Sequence, residues 1–205
     1  MTKVTQAHID ARTQDILGAA MSAFARKGVD DTTMQEIAAE AGLSAGAIYR
    51  YYPSKVELLR AVFAGCTAQN RAMFAQAAAR TESPLQALGD VGNAVWGEFK
   101  KPGWREHVIL SLESALAAAR QPEELGAARH EMLSGLIDML GGLIERAQAA
   151  GEIDPAVDAR SVGATLLACQ LGTGLLALQL DGDLDTDAVC GGLMEMLQKL
   201  TPQAN

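Results

Sequence analysis

Residues 28–58, GVDDTTMQEIAAEAGLSAGAIYRYYPSKVEL, decide the fold. Thr33 and Glu36 have the spacing of a capping box, in which a hydroxyl and a carboxylate exchange hydrogen bonds with the first free amides of a helix, so a helix is expected from Met34 to Ala41. Gly42 follows, where a tight turn needs a residue that tolerates positive φ. A second short helix is expected from Ala45 to Tyr51, and Ser54 with Glu57 opens a third. Ile37 and Ala38 can face inward while Gln35 and Glu36 face outward, and Ile48 and Tyr52, four apart, share the face that packs into neighbouring helices. Two short helices around a glycine turn, followed at once by another, form the layout of a helix-turn-helix DNA reader.

The outer face of the second short helix has the chemistry for that role. A mid-helix glycine costs about 1 kcal/mol relative to Ala, so Gly46 beside Ala45 and Ala47 makes sense where a backbone must press into a groove. The Ala45 methyl suits a thymine methyl, and the Tyr49 phenol can donate to a phosphate. Ser54 and Lys55 add exposed amides and an ammonium suited to another phosphate, while Thr33 and Gln35 can reach the backbone across the groove.

Outward from this stretch, the rest of the chain reads as helical. Ala, Leu, Met, Gln and Glu dominate, with few β-branched or aromatic residues, and an all-α fold of about nine helices is expected. Ser83 with Gln86, Pro84 at the first helical position, Gln121-Pro122 and Asp154-Pro155 mark starts. Gly28, Gly103, Gly151 and Gly182 mark stops. Helix 1 is placed from His8 to Lys27, with Ile9, Ile16, Leu17, Ala20, Met21 and Phe24 on one face. Helix 4 begins after Ser54 and runs to about Arg80, and helices 5, 6 and 7 start near Pro84, Trp104 and Pro122. Helices 8 and 9 cover Pro155–Leu180 and Thr186–Leu200. The reader is assigned to residues 1–55 and a second domain to 56–205, with the unbroken helix 4 as a mechanical link between them.

A net charge of −8 looks wrong for a nucleic-acid binder. Residues 1–60, however, hold seven basic and seven acidic residues, so the acidity lies entirely in the remainder, and the reader need only present positive charge locally. Cys66, Cys169 and Cys190 are few and widely spaced; they read as reduced buried thiols, with a redox-sensing Cys169–Cys190 pair as the alternative. The first eight residues lack the apolar core of a signal peptide. Val162–Leu180 is 19 residues without a charge, but its polar residues, glycines and acidic flanks favour a helix buried in protein over a membrane span. The chain is expected in the cytoplasm, with no membrane partner.

The stretch resembles the tetracycline-repressor (TetR/AcrR-like) family of bacterial transcription regulators. The likeness rests on Ile16-Leu17, Ala20, Phe24, Gly28, Thr33, Ile37-Ala38, Ala41-Gly42, Leu43-Ser44, Gly46, Ile48-Tyr49, Tyr51-Tyr52, Lys55 and Leu58-Leu59, over about residues 9–62. Tyr52 departs from the Phe often found in the family, and helix 3 is poor in long polar side chains. Sequence reading is therefore expected to lean on Thr33, Gln35, Ser44 and DNA shape. Leu112-Glu113, Arg120-Gln121-Pro122-Glu123 and Gly151-Glu152-Ile153-Asp154-Pro155 also look like the ligand-binding domain of one broad subgroup. The resemblance implies DNA contacts from Thr33, Ser44, Ala45, Gly46, Tyr49, Tyr51 and Lys55, and a homodimer with its readers in successive major grooves of a palindromic operator. It also implies repression that a small-molecule effector relieves by shifting helices 4 and 6.

Leu166, Leu167, Leu171, Leu175 and Leu178 on helix 8, with Val189, Leu193, Met196, Leu197 and Leu200 on helix 9, are too apolar for one side of a monomer. Ala164, Ala168 and Gly172 form a smooth ridge, and two copies would make a four-helix bundle. Trp96, Phe99, Trp104 and His107 cluster at the helix 5–6 corner, as ordinary core or as the wall of an apolar effector cavity to which Leu110, Glu113, Met132, Gln170 and Thr173 would contribute. An enzyme is disfavoured: His8, His107 and His130 lack metal-site spacing, and no nucleophile elbow or phosphate-cradling loop occurs, so no catalytic residue, metal or cofactor is assigned. The closer alternative is a DNA-binding dimer that senses no ligand.

Overall fold

The computed structural model describes residues 6–200, with side chains from residue 10 onward, so the side chains of His8 and Ile9 and the expectation about a signal peptide lie outside what is described. Among the described residues the chain is all-helical, with no strand: α1 Gln6–Lys27, α2 Met34–Glu40, α3 Ala45–Ile48, α4 Lys55–Arg80, α5 Pro84–Gly97, α6 Trp104–Arg120, α7 Ala127–Ala149, α8 Ala159–Gln179 and α9 Thr186–Gln198. A 3₁₀ turn at Glu98–Lys100 follows α5, and a π-helical turn at Pro122–Gly126 leads into α7. Gly28, Gly42, Gly103, Gly151 and Gly182 all have positive φ, as their reading as turns and stops requires.

The largest differences from the sequence reading fall at three boundaries. α3 stops at Ile48 because Arg50 N and Tyr51 N bond three residues back, to Ala47 O and Ile48 O, tightening the chain into a turn. α8 begins at Ala159 and not near Pro155, because Asp158 accepts from Ser161 N and caps the helix. Asp154 instead accepts from Ala156 N at 2.8 Å and shapes the preceding turn. α7 starts at Ala127, five residues after Pro122, with the π-helical turn between.

Two compact units emerge: one runs to Cys66 and resumes over Glu106–Glu131, and the other takes in Thr67–Arg105 and the chain from Met132 onward. The first unit therefore reaches beyond residue 55, because side chains of α6 and the turn after it bond to the reader. Its buried residues include Ile16, Ala20, Phe24, Val29, Ile37, Ala38, Ile48, Leu58 and Leu59. The second unit is built on Phe74, Leu88, Val91, Leu143, Ile144, Ile153 and Leu166, among others. There α7 and α8 approach closely at Gly163, where a Cβ would sit 2.8 Å from Ile137 O and 2.9 Å from Gly141 N. Only a glycine fits between those backbones.

Candidate nucleic-acid interface

The reader is assembled by its caps. Thr33 Oγ1 accepts from Glu36 N at 3.3 Å and Thr33 N donates to Glu36 Oε2 at 2.9 Å, so both halves of the capping box are made. Lys27 also pairs with the Glu36 carboxylate, which together with the Thr33 donors holds its pKa at about 2. Arg26 joins Glu40 at 2.6 Å, lowering that carboxyl, and ties α1 to the end of α2. Gly42, at φ +67°, then turns the chain into α3.

On α3, Ile48 is fully buried and anchors the helix, while Ser44, Ala45, Gly46 and Tyr49 are exposed; Tyr49 keeps 44% of its surface. Nothing lies within 4 Å of a Cβ placed at Gly46, so its backbone is open to an approaching surface. Ser44 precedes the helix without a side-chain capping bond, leaving its hydroxyl unspent. Gln35 is exposed, Tyr51 is half-buried, and the Thr33 hydroxyl is engaged in its cap.

Lys55 has a further task that its sequence position does not reveal. Its Nζ donates to Val29 O (2.6 Å), Asp30 O (2.9 Å) and Thr32 O (3.0 Å), spending its three N–H groups on the loop that leads into α2. Other groups hold the same loop: Glu113 of α6 accepts from Val29 N at 3.3 Å, and Arg120 pairs with Asp30 at 2.6 Å. Arg60 of α4 donates to Glu124 O at 2.6 and 3.0 Å. Arg12, Arg26, Lys27 and Arg60 all have carboxylate partners. Among the described residues up to 60, Arg50 is thus the basic side chain left exposed with no partner. The residue pattern alone did not single it out; the available signal was a basic residue between Tyr49 and Tyr51 at the end of the groove-facing helix.

Residues 16–62 match the family model for bacterial regulatory proteins of the tetR family. Over that stretch the chain is TetR-like. It is 30% identical over 116 residues to the uncharacterized HTH-type transcriptional regulator YfiR of Bacillus subtilis (strain 168), which takes in 50% of this chain and little more than half, 57%, of that relative. It is 25% identical over 205 residues to the HTH-type transcriptional repressor BepR of Brucella suis biovar 1 (strain 1330), covering 98% of this chain and 97% of that protein. The fold matches the crystal structure of a TetR transcription regulator from Haloarcula marismortui ATCC 43049 with a TM-score of 0.79 at 22% identity, covering 94% of this chain and 100% of that one.

The nine effector candidates lie in several different settings. Trp96 lines a groove of about 350 Å³ with Lys100, Asp187, Cys190 and Met194. Phe99 and Trp104, in edge-to-face contact at 6.2 Å, line a second groove of about 210 Å³ with Ala177, Gly182 and Leu184. Arg105 stacks over Trp104 at 5.0 Å and pairs with Asp181. His107, Leu110 and Glu113 lie in the first unit: His107 exposed, Leu110 buried, Glu113 bonded to the reader loop. Thr173 is buried and donates to Cys169 O at 2.7 Å, while Met132 and Gln170 are half-buried. Arg129 carries no sequence signal of its environment: it is half-buried, lies 5.9 Å from the Phe63 ring, and burial lowers its pKa. All three cysteines are free thiols, and burial pushes the pKa of Cys66 and Cys190 up.

The expected dimer residues divide. Leu171, Leu175 and Met196 are exposed, Met196 at 66%, whereas Leu167, Leu178, Val189 and Leu193 are half-buried. Leu197 is only 4% exposed and belongs to the core of its own chain, because its position on α9 turns it towards the core cluster. Leu176 and Leu180, outside the expected set, are exposed at 51% and 49%. α8 is also the one helix among the described residues long and apolar enough to cross a membrane.

Proposed function

We propose that this regulator acts as a homodimeric repressor, binding a palindromic operator and released by a small, largely apolar effector. The observation that carries the DNA reading is the outer face of α3: exposed Ala45 and Gly46 that let the backbone approach bases, flanked by Tyr49 and the unpartnered Arg50. Ser44 and Gln35 read or position across the groove and Tyr51 contacts a phosphate, while Thr33, whose donors both go to Glu36, acts by capping α2. Lys55 acts chiefly by fixing the loop ahead of α2, where its ammonium raises the local potential.

Dimerisation is supported by the exposed Leu171, Leu175 and Leu176 on α8 and Leu180 at its C-terminal cap, with Met196 on α9, a larger apolar display than scattered surface residues require. A second copy covering it places two readers about 34 Å apart, one turn of DNA. Repression accords with the likeness to BepR, a transcriptional repressor that aligns over nearly the whole chain. Release requires only that the effector bind the conformation unable to span two grooves better than the other. α4, unbroken from Lys55 to Arg80, is the element through which that change would travel.

The test is to capture genomic fragments with the purified protein and sequence them. A shared inverted repeat, bound by a species sedimenting as a dimer or pair of dimers, is expected. Fragments with no common site, or a monomer at micromolar concentration, would overturn the reading. A defined operator that no compound related to the neighbouring genes' chemistry releases would leave the ligand-independent regulator as the better account.

A further inference from the structure

The loop that joins α1 to α2 is gripped from two sides. Lys55 of α4 donates to its carbonyls at Val29, Asp30 and Thr32. From α6, Glu113 accepts from Val29 N at 3.3 Å, and Arg120 pairs with the Asp30 carboxylate at 2.6 Å. Glu113 and Arg120 are seven residues apart, about two turns, and so lie on one face of α6. The approach is close: a Cβ at Gly28, whose φ is +87°, would sit 3.0 Å from Glu113 Oε2. Within the loop the buried Thr32 hydroxyl donates to Gly28 O at 2.6 Å. All of these residues belong to the first unit. Connecting segments are ordinarily more mobile than the helices they join, yet this one is anchored on both sides. It ends at Thr33, the cap of α2, two residues before Gln35. A carboxylate repels phosphate, so Glu113 has no place in a DNA contact itself; its use lies in what it holds.

We propose that Glu113 and Arg120 are positioning residues for DNA recognition: by fixing this loop from α6 they set the register of α2, and through it of α3, on the operator. The proposal rests on the DNA reading given above. Specific binding needs several contacts in register at once, whereas non-specific binding needs only positive charge near phosphates. A loosened loop therefore costs operator affinity and leaves non-specific affinity in place. Glu113 carries the larger share, because it serves the amide of the buried Val29. Arg120 and Asp30 are exposed, and a pair of that kind is worth less.

The test is gel-shift titration of full-length variants on two duplexes of equal length: the inverted-repeat fragment recovered by genomic capture, and a scrambled version of it. Removing the negative charge of Glu113 would by itself strengthen binding to both duplexes. Glu113→Ala is expected instead to weaken operator binding about fivefold, while binding the scrambled duplex no more weakly than wild type. Glu113→Gln, which keeps an acceptor oxygen for Val29 N, should recover most of that loss. A purely structural role would lower the melting temperature and reduce binding to both duplexes alike. Arg120→Ala should lose about twofold on the operator, and almost nothing further when added to Asp30→Ala, because the two act as one pair. These two residues are exposed, so their variants test the clamp even if Glu113→Ala fails to fold. Operator affinity kept or raised in Glu113→Ala, an equal loss on both duplexes, no recovery in Glu113→Gln, or additive losses at Asp30 and Arg120 overturns the proposal. Wild type that binds the two duplexes equally counts against the DNA reading itself. Wild type that discriminates, with Glu113→Ala discriminating as well, counts against the positioning role alone.

Discussion

Lys55 shows how a residue can carry more than its motif suggests. Beside Ser54 at a helix start it reads as a phosphate ligand, yet its three donors hold the carbonyls of Val29, Asp30 and Thr32. Lys55→Ala is therefore expected to lower the stability of the protein by about 2 kcal/mol, the scale of charged hydrogen bonds, and to weaken operator binding as well. Tyr49→Ala should weaken binding with the melting temperature unchanged, since the ring is exposed. Thermal unfolding beside gel-shift titration separates the two, and unchanged stability in Lys55→Ala would remove the structural role. Glu36 makes a second residue-scale case, with pKa held at about 2 against an ordinary 4.5 by Lys27 and the Thr33 cap. A depressed carboxylate stabilises the fold fully above about pH 4.5, and that contribution fades as pH falls towards 2. The stability gap between wild type and Glu36→Gln should thus be flat at neutral pH and close across that acid window. Because the pair is exposed, the gap should also shrink with added salt.

Among the elements, α3 and the α7–α8 pair depend on glycine for opposite reasons. Gly46 lies in open space, as the proposed groove contact requires, whereas Gly163 is pressed against the backbone of Ile137 and Gly141. Gly163→Ala is expected to cost about 1–3 kcal/mol through overpacking, seen as a Tm lower by about 2–4 °C per kcal/mol in a chain of this size. Gly135→Ala, with nothing near its Cβ in the same helix as Gly141, should be neutral or raise Tm. Equal effects at both sites would rule out the close-approach account. On α3, Arg50→Ala should weaken binding to all DNA sequences alike and reduce the slope of log affinity against log salt by about one. An unchanged slope would take Arg50 off the phosphate backbone. The capped helices were legible in the sequence because Thr33, Ser54 and Ser83 act on amides three residues away. The start of α8 was not, because Asp154 and Asp158 are both competent caps and local chemistry alone does not choose between them.

Across the whole molecule, the apolar residues left outside the core argue for association. Leu175→Glu with Met196→Glu places charges in the proposed contact and should convert the dimer to monomer in sedimentation, with operator affinity falling while helix content is retained. A double variant that remains dimeric would move the interface elsewhere. The acidic remainder of the chain is compatible with the proposed DNA binding, because the reader itself is neutral and Arg50 is exposed on it without a partner.

The sequence by itself determined the helical class, the caps and glycine turns of the reader, and the outward face of α3, since these depend on neighbours within about one helical turn. Tertiary structure alone decided that Lys55, Glu113 and Arg120 converge on one loop, that Leu197 turns into the core while Leu176 and Leu180 stay outside, and that the Trp96 N–H is buried without a partner. Those relations join residues tens of positions apart, and packing, which has no local signature, is what brings them together.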